Sequence, residues 1–525
     1  MAAAAGHSGL LSRGKKLVHL DLKGAPPTVE HLRQLVHTFA DLGADGLLVE
    51  YEDTFPYEGE LRVLRSTAHA HYSREEIVSI QDVAKARGLE VVPLVQTFGH
   101  LEVRRSPVAP LLSVRSSTPP LSLSLSLPLS HQFVLKHAAF RRLREVDHCL
   151  GTLNPHSEQA VQLVLEMLRQ VAELHPGSGR LHLGADEVYL LGQGEESVRW
   201  LSGPGRSVHQ LFLGHVVTVA KAVRERFPHL DLIVWDDMLR DLSVETLKGS
   251  GLAGLVQPML WDYQPSLDVE RTVLLMEKYQ AAGLSDQWAA SSFKGSTSVH
   301  CCVTSTQRHV ENHLQWLRVA SALPSGVRLR GVALTGWQRY DHLSVLCELM
   351  PVAVPSLASC LQTLHHGTFS QEAQTNVMDA LQIPSTEVED IIRLDPAGSP
   401  SYPGWRLAQL VVKLAALLQS EDLRLLDGNM FVRGWFSPYH RQRKTVNPLV
   451  GPQIQTHVAL LLEPVRTTVD ELRQEMGRLY PPATVEEWIE QHVTPVVAPV
   501  QALLRDLDIS MEEMGLFRPG PASSQ

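Results

Sequence analysis

Two adjacent acidic residues, Asp186 and Glu187, are the feature of the sequence that most directly suggests chemistry. They lie in the segment HLGADEVY, where an apolar run gives way to charge. Neighbouring side chains of a strand point to opposite faces, so both acids cannot simply line a core. A carboxyl group in a partly desolvated, aromatic-lined site has a raised pKa and can act as a general acid near neutral pH. Such a pair suits cleavage of a glycosidic bond, although an acid pair at a helix N-terminus has the same sequence pattern.

Four of the nine tryptophans strengthen this interpretation, because each is assigned to the end of an apolar, strand-like segment between residues 230 and 340. Flat apolar rings that also border water match the C–H faces of a sugar. These residues are Trp235, Trp261, Trp288 and Trp337. We expect them around one mouth of the fold, with core packing as the alternative explanation for one or two.

The elements that must position these residues form a repeating pattern of strand-like and helical segments. Near-continuous Leu and β-branched runs are typical of parallel strands covered on both faces. Eight runs occur, at residues 17–24, 46–53, 89–99, 180–189, 230–238, 255–263, 286–293 and 331–340. One intervening helix has a capping-box pattern at Ser73 and Glu76 and a stop signal at Gly88. The pattern predicts an α/β fold, a (β/α)8 TIM barrel over residues 15–350. An open doubly wound sheet is the alternative, but no glycine-rich phosphate fingerprint favours it.

Each run becomes polar or aromatic at its C-terminal end, the face on which barrel active sites lie. The residues at these transitions are Asp21 and Lys23, Glu50 to Asp53, Gln96 and His100, Asp186 and Glu187, Trp235 to Asp237, Trp261 to Tyr263, Trp288, and Trp337 to Asp341. Any one of them has a second explanation as a hydrogen-bonded strand end or a helix cap. Eight coincident transitions favour an active site.

The segments outside the predicted barrel differ from it in character. Residues 355–517 contain long amphipathic stretches without strand runs, which predicts an all-helical C-terminal region. Residues 1–14 and the tail 518–525 are expected to be disordered. Residues 103–132 form a Ser/Leu/Pro-rich insertion that is unusually long for a loop of a compact domain. We interpret this insertion as a translated intron, with a mobile lid as the alternative.

Composition excludes several classes of protein. With 525 residues, 44% hydrophobic and 20% charged, the chain has the composition of a globular protein. Its net charge of −10 gives no electrostatic basis for binding nucleic acid or an anionic membrane. The five cysteines lack metal-ligand spacing, and neither a signal-peptide pattern nor a membrane-spanning run is evident. HExxH, GxSxG and Walker motifs are also missing from the sequence. We therefore expect a cytoplasmic or nuclear protein that is not secreted.

The strand-end motifs resemble those of glycoside hydrolase family 20, the β-N-acetylhexosaminidases. The similarity lies in HLGADEVY, VQTFGH, VWDDM and TGWQRYD, and extends over nearly the whole chain except the insertion. It implies a retaining, substrate-assisted hydrolase in which the 2-acetamido oxygen of the sugar is the nucleophile. The implied reaction is removal of a terminal GalNAc or GlcNAc from an amino-sugar glycoside or glycoconjugate, without a metal or organic cofactor.

The resemblance also implies roles for individual residues. Glu187 would protonate the leaving oxygen and then activate water. Asp186 would orient the acetamido N–H and stabilise the oxazolinium charge. His100 would support the two acids or contact the sugar. The predicted substrate-binding residues are His100, Trp235, Asp236, Trp261, Tyr263, Trp288, Trp337, Arg339 and Asp21.

The chain departs from the family pattern at three strands. The first strand has Asp21 and Lys23 where the family commonly has a sugar-gripping arginine. The expected Tyr-x-Asp of the seventh strand is missing, which leaves Tyr263 as the candidate partner of the acetamide carbonyl. Gln338 and Arg339 replace the acid expected after the tryptophan of the eighth strand. These differences leave the choice between GalNAc and GlcNAc open.

Two other functions stay open on the sequence. The first is a glycan-binding pseudoenzyme whose catalysis is impaired by the insertion. The second uses Asp236 and Asp237 as the working pair, as in O-GlcNAc-removing enzymes, but these residues follow the fifth strand rather than the fourth. The oligomeric state, including a homodimer, is also open.

Overall fold

The computed structural model describes residues 11–66, 70–101, 140–390 and 400–515, apart from the single positions 12, 389 and 425. The predicted insertion at 103–132, most of the N-terminal segment 1–14 and the tail 518–525 lie outside the described residues. The domain limits at 15–350 and 355–517 stay predictions.

Eight parallel strands close into a barrel in chain order, which confirms the predicted (β/α)8 architecture. Each predicted run overlaps one strand, and the last strand closes against the first, with Leu17 opposite Ala333. The strands are β1 (Lys15–Asp21), β2 (Gly46–Glu50), β3 (Glu90–Leu94), β4 (Arg180–His182), β5 (Asp231–Trp235), β6 (Val256–Trp261), β7 (Asp286–Lys294) and β8 (Arg328–Gly336). Their side chains are buried almost throughout, as expected for parallel strands covered on both faces.

Helices connect the strands, and short polar side chains begin most of them. Ser73 and Ser207 form capping boxes, the first of which was predicted, and Ser157, Ser243 and Asp268 each accept a hydrogen bond from the first turn. These caps satisfy N–H groups that the helix itself leaves unpaired. The helices are α1 (Val29–Asp41), α2 (Arg74–Ala86), α3 (Glu158–Leu174), α4 (Glu195–Leu201), α5 (Val208–Arg226), α6 (Val244–Gly249), α7 (Val269–Ala281) and α8 (Thr306–Ala322).

The described residues after β8 contain helices but no strands, which confirms the predicted all-helical C-terminal region. The first of these helices is buried along nearly its whole length and packs on β7 and α8, so it joins the barrel to the later helices. They are α9 (Met350–His366), α10 (Gln371–Leu381), α11 (Trp405–Leu418), α12 (Glu421–Arg424), α13 (Met430–Trp435), α14 (Pro438–Arg443), α15 (Gly451–Leu479), α16 (Pro482–His492) and α17 (Thr494–Glu513). None of the described helices has both the length and the apolar character needed to cross a bilayer.

The barrel interior has an apolar core separate from the core between strands and helices. Trp288 belongs to this interior core, because it is the third residue of β7 and not at the strand's C-terminal end as predicted. Its indole N–H donates to Gln257 Oε1 at 2.8 Å, and the Arg180 guanidinium lies 5.4 Å from the ring centroid. The predicted position was wrong because Trp288 is the third residue of the run 286–293 and lies six residues before the end of β7 at Lys294.

Candidate active site

A cavity of about 880 Å³ opens at the C-terminal ends of the strands. Side chains that follow all eight strands contribute to its lining, so the barrel closure brings together residues that are far apart in the sequence. Among them are Lys23, Glu50, Glu52, Gln96, His100, Asp186, Glu187, Trp235, Trp261, Tyr263, Ser296 and Trp337. This is the face on which TIM-barrel enzymes carry their active sites.

The loop after β4 brings both predicted acids to the cavity. β4 ends at His182, and the backbone then has positive φ angles of 67° at Ala185 and 45° at Glu187. Such angles are uncommon for residues other than glycine and cluster at functional sites. A Cβ atom at Gly184 would lie 2.1 Å from Gln96 Oε1, so this position needs glycine. Because the strand has ended, side-chain alternation no longer applies, and Asp186 and Glu187 both line the cavity.

His100 lies between the two acids. Its Nε2 atom is 3.1 Å from Glu187 Oε2 and 3.5 Å from Asp186 Oδ2. The side chain of Glu187 is 37% exposed and that of Asp186 only 11%. Among the described residues, no donor reaches the buried Oδ1 atom of Asp186. Glu187 is therefore open to the cavity, whereas Asp186 is buried and has one acceptor atom without a donor among the described residues.

The surroundings of Asp186 favour its protonated form. Burial raises the pKa of Asp186 to about 7. The electrostatic interaction with His100 acts to lower this pKa, whereas the negative charges of Asp237 and Glu50 raise it further. Burial and nearby negative charge also raise the pKa of carboxyl groups in other enzymes, where they keep such a group titratable near neutral pH. Asp186 can therefore change its charge within the physiological range.

Asp237 supports the acid pair from the end of β5. Its Oδ2 atom accepts the backbone N–H of Glu187 at 2.9 Å, and its Oδ1 atom accepts the indole N–H of Trp261 at 3.4 Å. Burial raises the pKa of Asp237 as well. One carboxyl group thus positions both the strained turn at Glu187 and one of the aromatic side chains of the cavity.

Aromatic side chains form a wall beside the acids. The ring centroids of Trp235 and Trp337 are 6.1 Å apart, and Trp261 stacks on Tyr263 at 5.5 Å. All four residues line the cavity, as predicted from their positions after β5, β6 and β8. Burial raises the pKa of Tyr263, so its hydroxyl keeps its proton. The wall therefore combines apolar faces with a hydroxyl donor.

A charged floor, formed by Lys23, Glu50 and Glu52, adjoins this wall. The Lys23 ammonium donates to Asp21 Oδ2 at 2.7 Å and lies 4.8 Å from the Trp337 ring centroid. Burial alone would lower the pKa of Lys23, but the carboxylates of Asp21, Glu50 and Glu52 outweigh burial and raise it. Lys23 is therefore a permanent positive charge in the site.

Glu50 and Glu52 complete the floor and differ in charge. Burial acts to raise the pKa of Glu50, but Lys23 and His19 outweigh it and hold the pKa below its usual range. Burial and the charge of Glu50 raise the pKa of Glu52, whose Oε2 lies 2.5 Å from His342 Nε2. Glu50 is therefore a charged carboxylate, whereas its neighbour Glu52 favours its protonated form.

The sequence is similar to those of known glycoside hydrolases. The catalytic-domain model of glycosyl hydrolase family 20 matches residues 38–265. Over 506 residues the chain is 47% identical to hexosaminidase D of Homo sapiens, covering 96% of this chain and 97% of that protein. The chain belongs to glycosyl hydrolase family 20. It is also 49% identical over 372 residues to hexosaminidase D of Bos taurus, covering 71% of this chain and 98% of that protein. The crystal structure of a β-N-acetylhexosaminidase from Bacteroides fragilis is similar with a TM-score of 0.46 and 14% identity, over 66% of this chain and 65% of that one.

Membership of family 20 makes the protein a glycoside hydrolase of the β-N-acetylhexosaminidase type. Within the described part of this family 20 enzyme, no group of three or more His, Cys, Asp or Glu side chains is arranged to hold a metal ion.

Four of the predicted substrate-binding residues do not line the cavity of the family 20 enzyme. Trp288 lies in the barrel interior. Asp21 is buried, where it accepts hydrogen bonds from Lys23 and from the backbone N–H of Gln338 at 2.8 Å. In both cases the side chain is directed to partners inside the protein and does not line the cavity.

Asp236 and Arg339 are turned away from the cavity by strong partners. Asp236 is fully buried and accepts two hydrogen bonds from Arg240, at 2.6 and 2.9 Å, and one from the Tyr279 hydroxyl at 3.1 Å. Arg339 donates to both carboxylate oxygens of Glu487, at 2.9 and 3.2 Å. The sequence pattern placed both residues at strand ends, but could not reveal that a partner occupies each of them.

Several lining residues were noted in the sequence only as polar strand ends. The available signal was the change from apolar to polar residues at or just after the ends of β1, β2 and β3, which gives Lys23, Glu50, Glu52 and Gln96. Asp237 was considered only as part of an alternative acid pair. Family 20 enzymes commonly have an arginine on the first strand, and Lys23, which lies in that region of this chain, was not selected as a site residue.

Proposed function

We propose that this family 20 enzyme is an exo-acting β-N-acetylhexosaminidase that removes terminal GalNAc or GlcNAc by a retaining, substrate-assisted mechanism. The observation that carries the proposal is the pairing of a partly exposed Glu187 with a buried Asp186 beside an aromatic wall. The two environments suit two different roles, an acid–base catalyst and an electrostatic stabiliser.

In the first step, Glu187 gives its proton to the glycosidic oxygen, and the bond between that oxygen and the anomeric carbon breaks. The acetamide carbonyl oxygen of the same sugar forms a bond to the anomeric carbon, which produces an oxazolinium ion. Asp186, in its charged form, accepts the acetamide N–H and stabilises the positive charge through its otherwise unpartnered Oδ1 atom.

In the second step, water replaces the acetamide oxygen. Glu187, now a carboxylate, removes a proton from the water as its oxygen bonds to the anomeric carbon, and the oxazolinium ring opens. Two displacements at one carbon give retention of configuration. The position of His100, 3.1 Å from Glu187, supports a role in orienting the acid between these two steps.

The aromatic wall suits the acetamido group. The faces of Trp235 and Trp337 offer apolar surface to the methyl group, and the protonated hydroxyl of Tyr263 is a donor for the acetamide oxygen. The buried floor of Lys23, Glu50 and Glu52 offers both donors and acceptors to the hydroxyls of a terminal sugar. A buried floor favours exo-cleavage, because a glycan chain cannot continue through it beyond the terminal sugar.

Hydrolysis of aryl β-GalNAc and aryl β-GlcNAc, followed by NMR of the first-formed anomer, tests the proposal. We expect the β-anomer first, and inhibition by a thiazoline mimic of the oxazolinium ion. An α-anomer as the first product would contradict the mechanism. Tight thiazoline binding without turnover, both in the full chain and in a variant lacking residues 103–132, would favour the glycan-binding alternative. Turnover restored only by that deletion would assign the loss to the insertion.

We also propose a cytoplasmic or nuclear location, for which the support is the sequence: five cysteines without disulfide-like or metal-ligand spacing and no N-glycosylation acceptor. Cell fractionation checks the location. Recovery of the protein with a secretory compartment would contradict it.

A further inference from the structure

Helix α16 holds the loop that follows β8. Gln491 accepts the backbone N–H of Leu346 at 2.9 Å, and His492 Nε2 lies 2.8 Å from the Leu346 carbonyl oxygen. One turn earlier on the helix, Glu487 binds Arg339 with both carboxylate oxygens. Residues of one helix face thus attach to both the beginning and the end of the segment 339–346.

The attachment of Arg339 to Glu487 is buried. The side chain of Arg339 is 2% exposed and that of Glu487 9%. The guanidinium also approaches the carbonyl oxygens of Gly24 and Ser344, at 3.4 and 3.3 Å. Arginine presents its donors in a rigid planar fork, so this arrangement fixes the relative positions of the β1 loop, the β8 loop and α16. A buried ion pair has a large desolvation cost and is better evidence of a defined geometry than of added stability.

The segment held in this way is also a wall of the cavity. Tyr340, Asp341, His342 and Leu343 of this segment line it. His342 reaches across to Glu52 in the floor at 2.5 Å. The position of α16 therefore determines where the β8 loop places its side chains relative to the floor.

We propose that α16 is part of the substrate-binding apparatus, and that Glu487 is a positioning residue that acts through Arg339. The inference rests on the proposed function for the identity of the substrate, but not for the geometry. It gives the C-terminal helical region a role: to hold the β8 loop against the bound sugar. A loop held in place binds the sugar similarly before and during the reaction, so its loosening raises KM more than it lowers kcat.

The experiment compares Glu487→Gln with Glu490→Gln, a matched change of an exposed acid on the same helix. We expect Glu487→Gln to raise KM for an aryl GalNAc or GlcNAc glycoside about tenfold, with kcat within about twofold of the parent. Glu490→Gln should have the kinetics of the parent. An unchanged KM in folded Glu487→Gln, or a loss confined to kcat, would overturn the proposal.

Hydrogen exchange and calorimetry separate a positioning role from a merely structural one. In Glu487→Gln, peptides covering residues 337–349 should exchange faster while peptides covering β5 are unchanged, and thiazoline binding should weaken. Faster exchange throughout the chain would overturn the proposal. If the parent binds thiazoline but turns over no substrate, the proposed function fails, yet exchange and calorimetry still decide the role of α16.

Gln491→Ala provides a milder test if Glu487→Gln does not fold, because it removes an uncharged hydrogen bond to the same loop. The expected result is a smaller rise in KM and faster exchange at residues 337–349. An unchanged KM together with unchanged exchange in Gln491→Ala would overturn the proposal.

Discussion

The rim of the barrel carries two adjacent acid pairs, Asp186–Glu187 after β4 and Asp236–Asp237 after β5, and they have opposite characters. Asp236 is fully buried and saturated by Arg240 and Tyr279. Asp186 is also nearly buried, but its Oδ1 atom has no partner among the described residues. The same residue type at the same edge of the fold is thus a structural anchor in one loop and an available charge in the next.

The difference shows that hydrogen-bond capacity distinguishes the two loops, and burial does not. A buried carboxylate whose lone pairs are filled contributes to geometry, whereas one with an open acceptor can receive a ligand donor. The second member of each pair follows the same division. Asp237 is held by the backbone of Glu187 and by Trp261, while Glu187 is directed into the cavity. The β5 pair therefore supports the β4 pair.

Glu187→Gln should have the largest effect. Without the acid, kcat on a glycoside with a poor leaving group should fall about 10³-fold, whereas an activated aryl glycoside should lose much less. Glu195→Gln, an exposed acid at the start of α4, is the matched control. Steady-state kinetics on both substrates measure the ratio. Equal losses on the two substrates would contradict the role of Glu187 as the acid.

Asp186→Asn should lower kcat by about 10²-fold on both kinds of leaving group, because the charge opposite the oxazolinium ion is lost. The same two substrates provide the measurement. A loss that an activated leaving group rescues would move the acid role from Glu187 to Asp186, and would break the division between the two residues.

Asp236→Asn should affect stability more than catalysis. It leaves the buried end of Arg240 without its carboxylate, and we expect the free energy of unfolding to fall by about 3 kcal/mol. Urea unfolding measures that change, and the activity of the remaining folded protein should stay within about tenfold of the parent. If Asp236→Asn is stable but loses activity as strongly as Asp186→Asn, the β5 pair is the working pair after all.

The pH dependence of the parent should sharpen the comparison. Since Asp186 must be charged to stabilise the oxazolinium ion and its pKa is about 7, kcat/KM should rise with pH through this value. The acidic limb should be absent in Asp186→Asn but retained in Asp236→Asn. A limb that persists in Asp186→Asn belongs to another group.

The smallest expected effect is on stability. The folded pKa of Asp186 is raised from 3.8 to about 7, so its favourable contribution is present below pH 4 and is lost as the pH rises through 7. Asp186→Asn does not ionise, and its stability relative to the parent should therefore increase between pH 5 and pH 8, by a few kcal/mol at most. Thermal unfolding at both pH values measures this. A relative stability that does not change with pH would contradict the raised pKa.

Local patterns predicted the elements better than the contacts between them. Apolar runs located all eight strands, because a parallel strand buried on both faces needs an apolar sequence. The capping box of Ser73 and Glu76 was also predictable, since its partners are three residues apart. Trp288 was misplaced because it was assigned to the C-terminal end of its run, whereas it is the third residue of β7 and points into the barrel interior. The substrate-binding roles of the residues that line the cavity stay predictions.

The sequence by itself determined the barrel, the helical C-terminal region, and the location of Asp186 and Glu187 at the end of the fourth strand, because these follow from periodicity and from polar residues that end apolar runs. Only the tertiary structure decided which strand-end residues are available to a ligand. Arg339 meets Glu487 across 148 residues, whereas Lys23 and Glu50 come from different strands and meet at the cavity floor. Barrel closure and helix packing determine which distant residues become partners, so these partners cannot be predicted from the sequence of one strand.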